Sequence, residues 1–262
     1  MMVIDSSRCV GCGKCVKDCV NESIVLDNGK AVIRGGCIEC GHCAAICPAG
    51  AVTNPDYDMA DVENRREGVV LDPDDLIYTL KFRRSIRQYQ PRPVEREKLD
   101  KIIQAARYSA TGANCQGCHV TVVQEDMEHF QNMVWDGIEA FLREHENDLP
   151  AMAKVYPPVL ARYRKDRADD RIIYGAPCAI IVSAESQWDA GLASQSMELA
   201  ALAQGLGMVY SGYLRGAVSF SKGLQDWLGI GNLPVQTCMM LGYPAVDYLR
   251  SAPRKPANVI WR

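Results

Sequence analysis

Cys37-Ile-Glu-Cys40-Gly-His-Cys43-Ala-Ala-Ile-Cys47-Pro48 has the spacing C-x2-C-x2-C-x3-C-P, a run that carries iron–sulfur clusters. Three thiolates so spaced wrap one cubane, and the fourth ligates the other cluster of a two-cluster protein. The run therefore predicts a second copy, and Cys9-Val-Gly-Cys12-Gly-Lys-Cys15-Val-Lys-Asp-Cys19 repeats it. The crossed pattern assigns Cys9, Cys12, Cys15 and Cys47 to one [4Fe–4S] cluster, and Cys37, Cys40, Cys43 and Cys19 to the other. Zinc sites usually present two Cys-x-x-Cys pairs without a third cysteine after two more residues. A disulfide framework needs a secretory context that the opening MMVIDSSRCV does not show. Val20 stands where a proline would follow Cys19, which relaxes a turn and removes no ligand.

Outward from this run, the composition narrows the class. A net charge of −3 argues against nucleic acid as the main partner. No apolar stretch reaches the roughly 18 residues of a membrane span. Eight of the 12 cysteines fall within the first 47 residues, which predicts a cytoplasmic protein in reducing conditions and an oxygen-avoiding host. A chain of 262 residues holds one large domain, or one large and one small.

Residues 1–54 are too few to bury much core, so cluster ligation must supply stability. Short strands are expected at Val3–Asp5, Ile24–Asp27 and Ala31–Ile33, with Asp27-Asn28-Gly29-Lys30 turning a hairpin. The segment resembles the bacterial two-cluster ferredoxin fold. His42, between two ligands, reads as a solvated or hydrogen-bonding side chain because the cysteine set is complete without it. Residues 55–75, charged and bounded by Pro55 and Pro73, read as a linker to residues 76–262.

The larger part opens with Arg83-Arg84-Ser85-Ile86-Arg87. Such a cluster is a solvated basic face or an anion site; guanidinium forks and a hydroxyl suit a terminal phosphate. A helix is expected over Val94–Ala110, with Leu99, Ile102, Ile103 and Ala106 on one face. A polar loop, Ser109 to Cys118, then leads into a strand over His119–Gln124. Loops of this kind expose amides and carboxamides able to bond a planar heterocycle.

These features, with Tyr174-Gly-Ala-Pro177, the helix Ala193–Gly207, Leu241-Gly-Tyr-Pro244 and Pro253-Arg-Lys-Pro256 in that order, resemble the nitroreductase family of FMN enzymes. The resemblance implies an α+β fold with an antiparallel-rich central sheet, flanking helices and an intertwined homodimer. It implies that Arg83, Arg84, Ser85, Arg87 and Arg254 hold the FMN phosphate and ribityl chain. Asn114 and Gln116 would contact the flavin from the loop. Ser211, Gly212, Tyr213 and Leu214 would lie along the ring, where a main-chain amide tunes its reactive nitrogen.

The family's Gln-Pro-Trp is here Gln116-Gly117-Cys118, which alters a pocket wall and creates Cys115-x-x-Cys118. That pair reads either as a redox dithiol or, by default, as small buried hydrophobes. Asp126–Arg171 is expected to be a long helical excursion, with a packing face at Met127, Phe130, Val134, Ile138 and Phe141 and a solvated charge run near its end. Tyr156 and Tyr163 are candidates to face a substrate from this lid region.

Two functions follow. The first is an FMN-dependent oxidoreductase with two [4Fe–4S] clusters that reduces a small-molecule electron acceptor: a nitroaromatic, a quinone or an activated alkene. The second is an electron-transfer or redox-sensing module that docks to a redox partner without a dedicated substrate. No catalytic acid, base or nucleophile is assigned. No separate Gly-x-Gly-x-x-Gly strand–helix element marks a dinucleotide site, so external ferredoxin and NAD(P)H both stand as donors.

Overall fold

Alternation at period two organises the larger part of the molecule, and glycine-assisted tight turns organise the smaller. The structure is a computed structural model that describes residues 1–262. Its contacts group into two units: Met1–Val70 with Thr111–Cys115, and Leu71–Ala110 with Gln116–Arg262.

In the first unit, β1 (Val3–Ile4) pairs antiparallel with β4 (Val52–Thr53), closing the segment's two ends together. Strands β2 (Ile24–Asp27) and β3 (Lys30–Ile33) form the expected hairpin with Asp27 opposite Lys30. Asn28 and Gly29 both take positive φ, 49° and 76°, the backbone that matches a two-residue turn to strand twist. Two short helices, α1 (Lys14–Asp18) and α2 (His42–Ala45), follow Gly13 and Gly41, each left-handed. The same place in each cysteine run thus uses glycine to turn the chain into a helix. At Gly11 a Cβ would stand 2.1 Å from the Gly29 carbonyl oxygen, so the hairpin tip rests directly on the first run. The core is small: Met2, Cys9, Ile24, Ala31, Cys43, Ala51 and Val52.

In the second unit, α3 (Pro73–Phe82) starts on Asp72, whose carboxylate accepts the amides of Asp74 and Asp75 at 2.9 and 3.0 Å. Helix α4 (Arg96–Arg107) buries Leu99 and Ile102, as its apolar stripe predicts. The excursion resolves into α5 (Met127–Glu144) and α6 (Tyr156–Lys165). The remaining elements are α7 (Gln187–Leu202), α8 (Gly212–Phe220) and α9 (Lys222–Trp227), with strands β5 (His119–Val123), β6 (Cys178–Ser183), β7 (Gly207–Tyr210) and β8 (Val235–Gly242). The strands make one antiparallel sheet in the order β5-β6-β8-β7.

All six residues of β6 are buried, so both faces of the sheet are covered. Ala179, Ile181, Cys238 and Met240 point to one core with α5, α6, α8 and α9. Cys178, Ile180, Val182, Met239 and Leu241 point to the other, with α4 and α7. This is the mixed helix and sheet fold expected, in three layers. Gly242 closes β8 where a Cβ would stand 2.7 Å from Pro177, which ties the two family-like segments Ala-Pro and Leu-Gly-Tyr-Pro to one packing contact.

Candidate functional site

The eight cysteines of the two runs are free thiols in the first unit. Cys9, Cys12, Cys15 and Cys47 line one cavity together with Ile4, Val10, Ala31, Ala51 and Val52, and they are the crossed set. Burial raises the Cys15 thiol, and the charges that raise it further are those of Cys12 and Cys47. Burial pushes Cys43 up to about 11, and its charged neighbours are Cys37 and Cys40. No three His, Cys, Asp or Glu side chains converge on a single ion; a cubane asks for wider spacing, since each iron takes one thiolate.

Main-chain amides already point at the sulfurs: Ser23 to Cys19 at 3.3 Å, Ala31 to Cys9 at 3.4 Å, Glu39 to Cys37 at 3.4 Å and Ala51 to Cys47 at 3.3 Å. The amides of Ala31 and Gly11, then the charge of Lys30, lower the Cys9 thiol. Such bonds favour thiolates and tune clusters, so the donor set fits the group. His42 is exposed and pairs with Asp18 at 3.2 Å, as a non-ligand should.

In the second unit the Arg83–Arg87 segment lies beside β7, with the Ile86 amide bonded to the Met208 carbonyl at 2.9 Å. Its members have separate tasks. Arg83 Nη1 donates to Glu198 Oε1 at 3.1 Å, and Glu198 is 2% exposed. Arg84 closes the C-terminus of α3, donating to the carbonyls of Arg83 and Lys81 at 2.6 Å each. Arg87 reaches the Ser85 carbonyl at 3.4 Å and lies 5.9 Å from the Tyr174 ring centroid. Ser85 is half-buried. Burial, reinforced by Glu198, holds the Tyr210 hydroxyl protonated well above its ordinary range, with Arg83 opposing.

Beyond the end of β7, Ser211 caps α8. Its hydroxyl accepts the Leu214 amide at 3.1 Å and donates to the Ile172 carbonyl at 3.1 Å. Leu214 is buried in the core, whereas Gly212 faces open space on its Cβ side. Helix geometry leaves the first amides, those of Gly212 and Tyr213, without intrahelical acceptors. The structure therefore sets the Arg83–Arg87 segment alongside β7, with Arg83 acting on Tyr210, and the next residue, Ser211, opens α8. Arg254 lies on the exposed C-terminal tail and bonds the neighbouring Pro253 carbonyl at 3.1 Å.

Asn114 groups by contacts with the first unit, where its Nδ2 donates to the Ile38 carbonyl at 3.2 Å. The loop is tightly wound: Ala113, Asn114 and Gln116 all have positive φ near 50°. Of the dithiol candidates, Cys115 is exposed and Cys118 half-buried.

Tyr156 and Tyr163 do not face a substrate. Both are buried, Tyr163 stacked on Trp135 at 4.1 Å and Tyr156 donating to the Tyr213 carbonyl at 2.7 Å. Gly216 admits that tyrosine, since a Cβ there would stand 2.2 Å from its hydroxyl. The charge run also hides a buried member. Asp170 accepts Gln131 at 2.7 Å, Trp135 at 3.2 Å and the amides of Ile172 and Ile173 at 2.7 and 2.9 Å. Its neighbour Asp169 takes Arg162 and Arg171 at the surface. Asp170 thus fixes the turn whose Ile172 carbonyl receives Ser211. Reading the run as a solvated face passed over it.

Residues 1–48 match the model of a 4Fe-4S dicluster domain. A nitroreductase from Bacteroides fragilis with bound FMN superposes with a TM-score of 0.58 at 24% identity, covering 71% of this chain and 97% of its own. One from Desulfitobacterium hafniense, also with bound FMN, gives 0.56 at 24% identity, covering 70% and 97%. An FMN-dependent nitroreductase from Clostridium difficile gives 0.54 at 17%, covering 73% and 100%. These likenesses carry the fold. Staphylococcus aureus proteins provisionally named formate dehydrogenase are 33% identical over a 63-position alignment that covers 18% of this chain. The chain spans 6% of their length. The nitroreductase family model matches residues 80–243, more than half of the chain and the whole β7–α8 site with it, and the chain belongs to the nitroreductase family.

Proposed function

We propose that the chain is an FMN- and iron–sulfur-dependent oxidoreductase. It passes electrons between two [4Fe–4S] clusters and FMN to reduce an electrophilic small molecule, a nitroaromatic, a quinone or an activated alkene. One observation carries the reading: two four-thiol sets and a nitroreductase-family unit stand in a single chain. On this reading residues 1–54 are the ferredoxin-like part, 55–75 the connecting segment and 76–262 the flavin part.

FMN, when bound, supplies the conversion between one-electron and two-electron chemistry. The residues present suit it. Arg83, Ser85 and Arg87 offer forked and hydroxyl donors for its phosphate, with Arg84 and Arg254 adding positive charge. The first amides of α8, at Gly212 and Tyr213, are donors for the acceptor edge of the ring, and the open side of Gly212 admits a planar group to the backbone. Ser211 and Leu214 set that turn. From the loop, Gln116 would be the contact to the flavin within this unit. The chain's work is binding, orientation and electrostatics; no side chain is required as nucleophile or acid–base group.

Two surfaces support a homodimer. Helix α3 buries no residue yet presents Ile77, Tyr78 and Leu80, and α7 leaves Trp188 and Leu192 exposed. Light scattering at twice the chain mass is the expected result.

An anaerobic titration of the purified holoprotein, followed at the flavin absorbance, tests the function. Prompt bleaching by NADH or NADPH identifies a nicotinamide donor. Bleaching by reduced ferredoxin alone identifies the clusters as the entrance. A reduced flavin that stays reduced with nitroaromatics, quinones and activated alkenes alike would defeat the enzyme reading in favour of an electron-transfer module.

A further inference from the structure

Glu198 is a buried carboxylate for which the proposed chemistry has no direct use. It lies on α7, a helix whose other buried residues are small or apolar apart from Asp189 and Ser194. Glu198 Oε1 receives Arg83 Nη1 at 3.1 Å, and Oε2 receives Gln195 Nε2 at 3.3 Å. The side chains are 3% and 26% exposed, so the acid is the inner partner and the guanidinium the outer one.

A buried carboxylate beside a segment meant to receive a phosphate repels that phosphate unless a cation stands between them. Arg83 occupies that place. A guanidinium is a planar fork with five N–H donors. One is committed to Glu198, which leaves four on a side chain that is itself only partly buried. Anchoring one edge in the protein directs the opposite edge outward, and a pre-organised fork loses less entropy on binding an anion. Neither neighbouring arginine is anchored in this manner. Arg84 is committed to the carbonyls at the end of α3, and Arg87 touches only the Ser85 carbonyl and the Tyr174 ring.

We infer that Glu198 is a positioning residue that aims Arg83 at the phosphate of FMN, and so sets the preference of the site for FMN over riboflavin. The inference rests on the flavin reading above and deepens it. Its readout is the ratio of two affinities, which a general loss of packing leaves unchanged.

The test is a fluorescence-quenching titration of the full-length, cluster-loaded protein, stripped of flavin, with FMN and separately with riboflavin. In Glu198→Ala, FMN affinity falls about tenfold, the scale of one hydrogen bond to a charged group, while riboflavin affinity holds. Glu198→Gln keeps an acceptor for Nη1 and recovers part of that loss. In an Arg83→Ala background, Glu198→Ala adds no further change to the ratio. Equal losses for both flavins would make Glu198 a packing residue. An unchanged or higher FMN preference would show the carboxylate to be neutral or repulsive; either result overturns the inference. If Glu198→Ala does not fold, Glu198→Gln carries the test, with a lower FMN-to-riboflavin ratio than wild type expected and an unchanged one contrary. A wild-type chain with no preference for FMN removes the flavin reading, and this inference with it.

Discussion

Tyr156 shows how much one hydroxyl can organise. It is the buried first residue of α6, and it donates to the Tyr213 carbonyl in the first turn of α8, where the proposed flavin amides lie. Burial pushes this hydroxyl up to about 12 from the ordinary 10. A raised pKa on an acid that is neutral when folded means the unfolded chain releases its proton first. Between pH 10 and 12 the unfolded state therefore binds fewer protons, and stability falls as pH rises through that window. Tyr156→Phe removes this titration and one hydrogen bond. The variant is expected to lose about 1 kcal/mol at neutral pH. Its stability should then decline less steeply than wild type above pH 10. Urea unfolding at several pH values measures both, and parallel slopes across that window would show that Tyr156 does not titrate in the folded chain's stability.

At the scale of elements, the two cysteine runs each form a turn, a left-handed glycine and a short helix, yet each run does not fill its own site. The cavity lined by Cys9, Cys12 and Cys15 takes its fourth thiol from Cys47, beyond α2. Cys47→Ser is therefore expected to remove the same cluster signal in electron paramagnetic resonance as Cys12→Ser, leaving the signal that Cys40→Ser removes. Loss of the Cys40-type signal instead would refute the crossed assignment. This arrangement was legible in the residue spacing because ligand chemistry dictates it. So were the hairpin at Asn28-Gly29, the stripe of α4 and the strand at His119, where short-range periodicity and turn chemistry decide. Sites decided by distant contacts were hidden. Glu198 and Asp170 look like ordinary helix-surface and charge-run acids, and only the packing of α7 against the Arg83 segment, or of α5 against the 170–173 turn, buries them. Tyr156 and Tyr163 were misplaced for the same reason: an amphipathic aromatic reads equally well as lid or core until its neighbours are known.

At the scale of the whole molecule, the two units have different sources of stability and separate redox capacities. The first has a core of seven buried apolar residues and depends on its clusters to hold it folded. The second has two apolar cores, one on each face of a four-stranded sheet, built without any cluster ligand. Chelation or oxidation of the clusters should therefore unfold the first 70 residues and leave the sheet intact. The electron inventory should track the same division. Two clusters accepting about one electron each and a flavin accepting about two give roughly four electrons per chain in an anaerobic dithionite titration. After the clusters are destroyed by ferricyanide and chelator, roughly two should remain, with the flavin spectrum unchanged. A chain that takes up only two electrons when fully loaded would mean that clusters and flavin do not reside on it together. The proposal of a single protein that joins one-electron and two-electron carriers would then fail at its root.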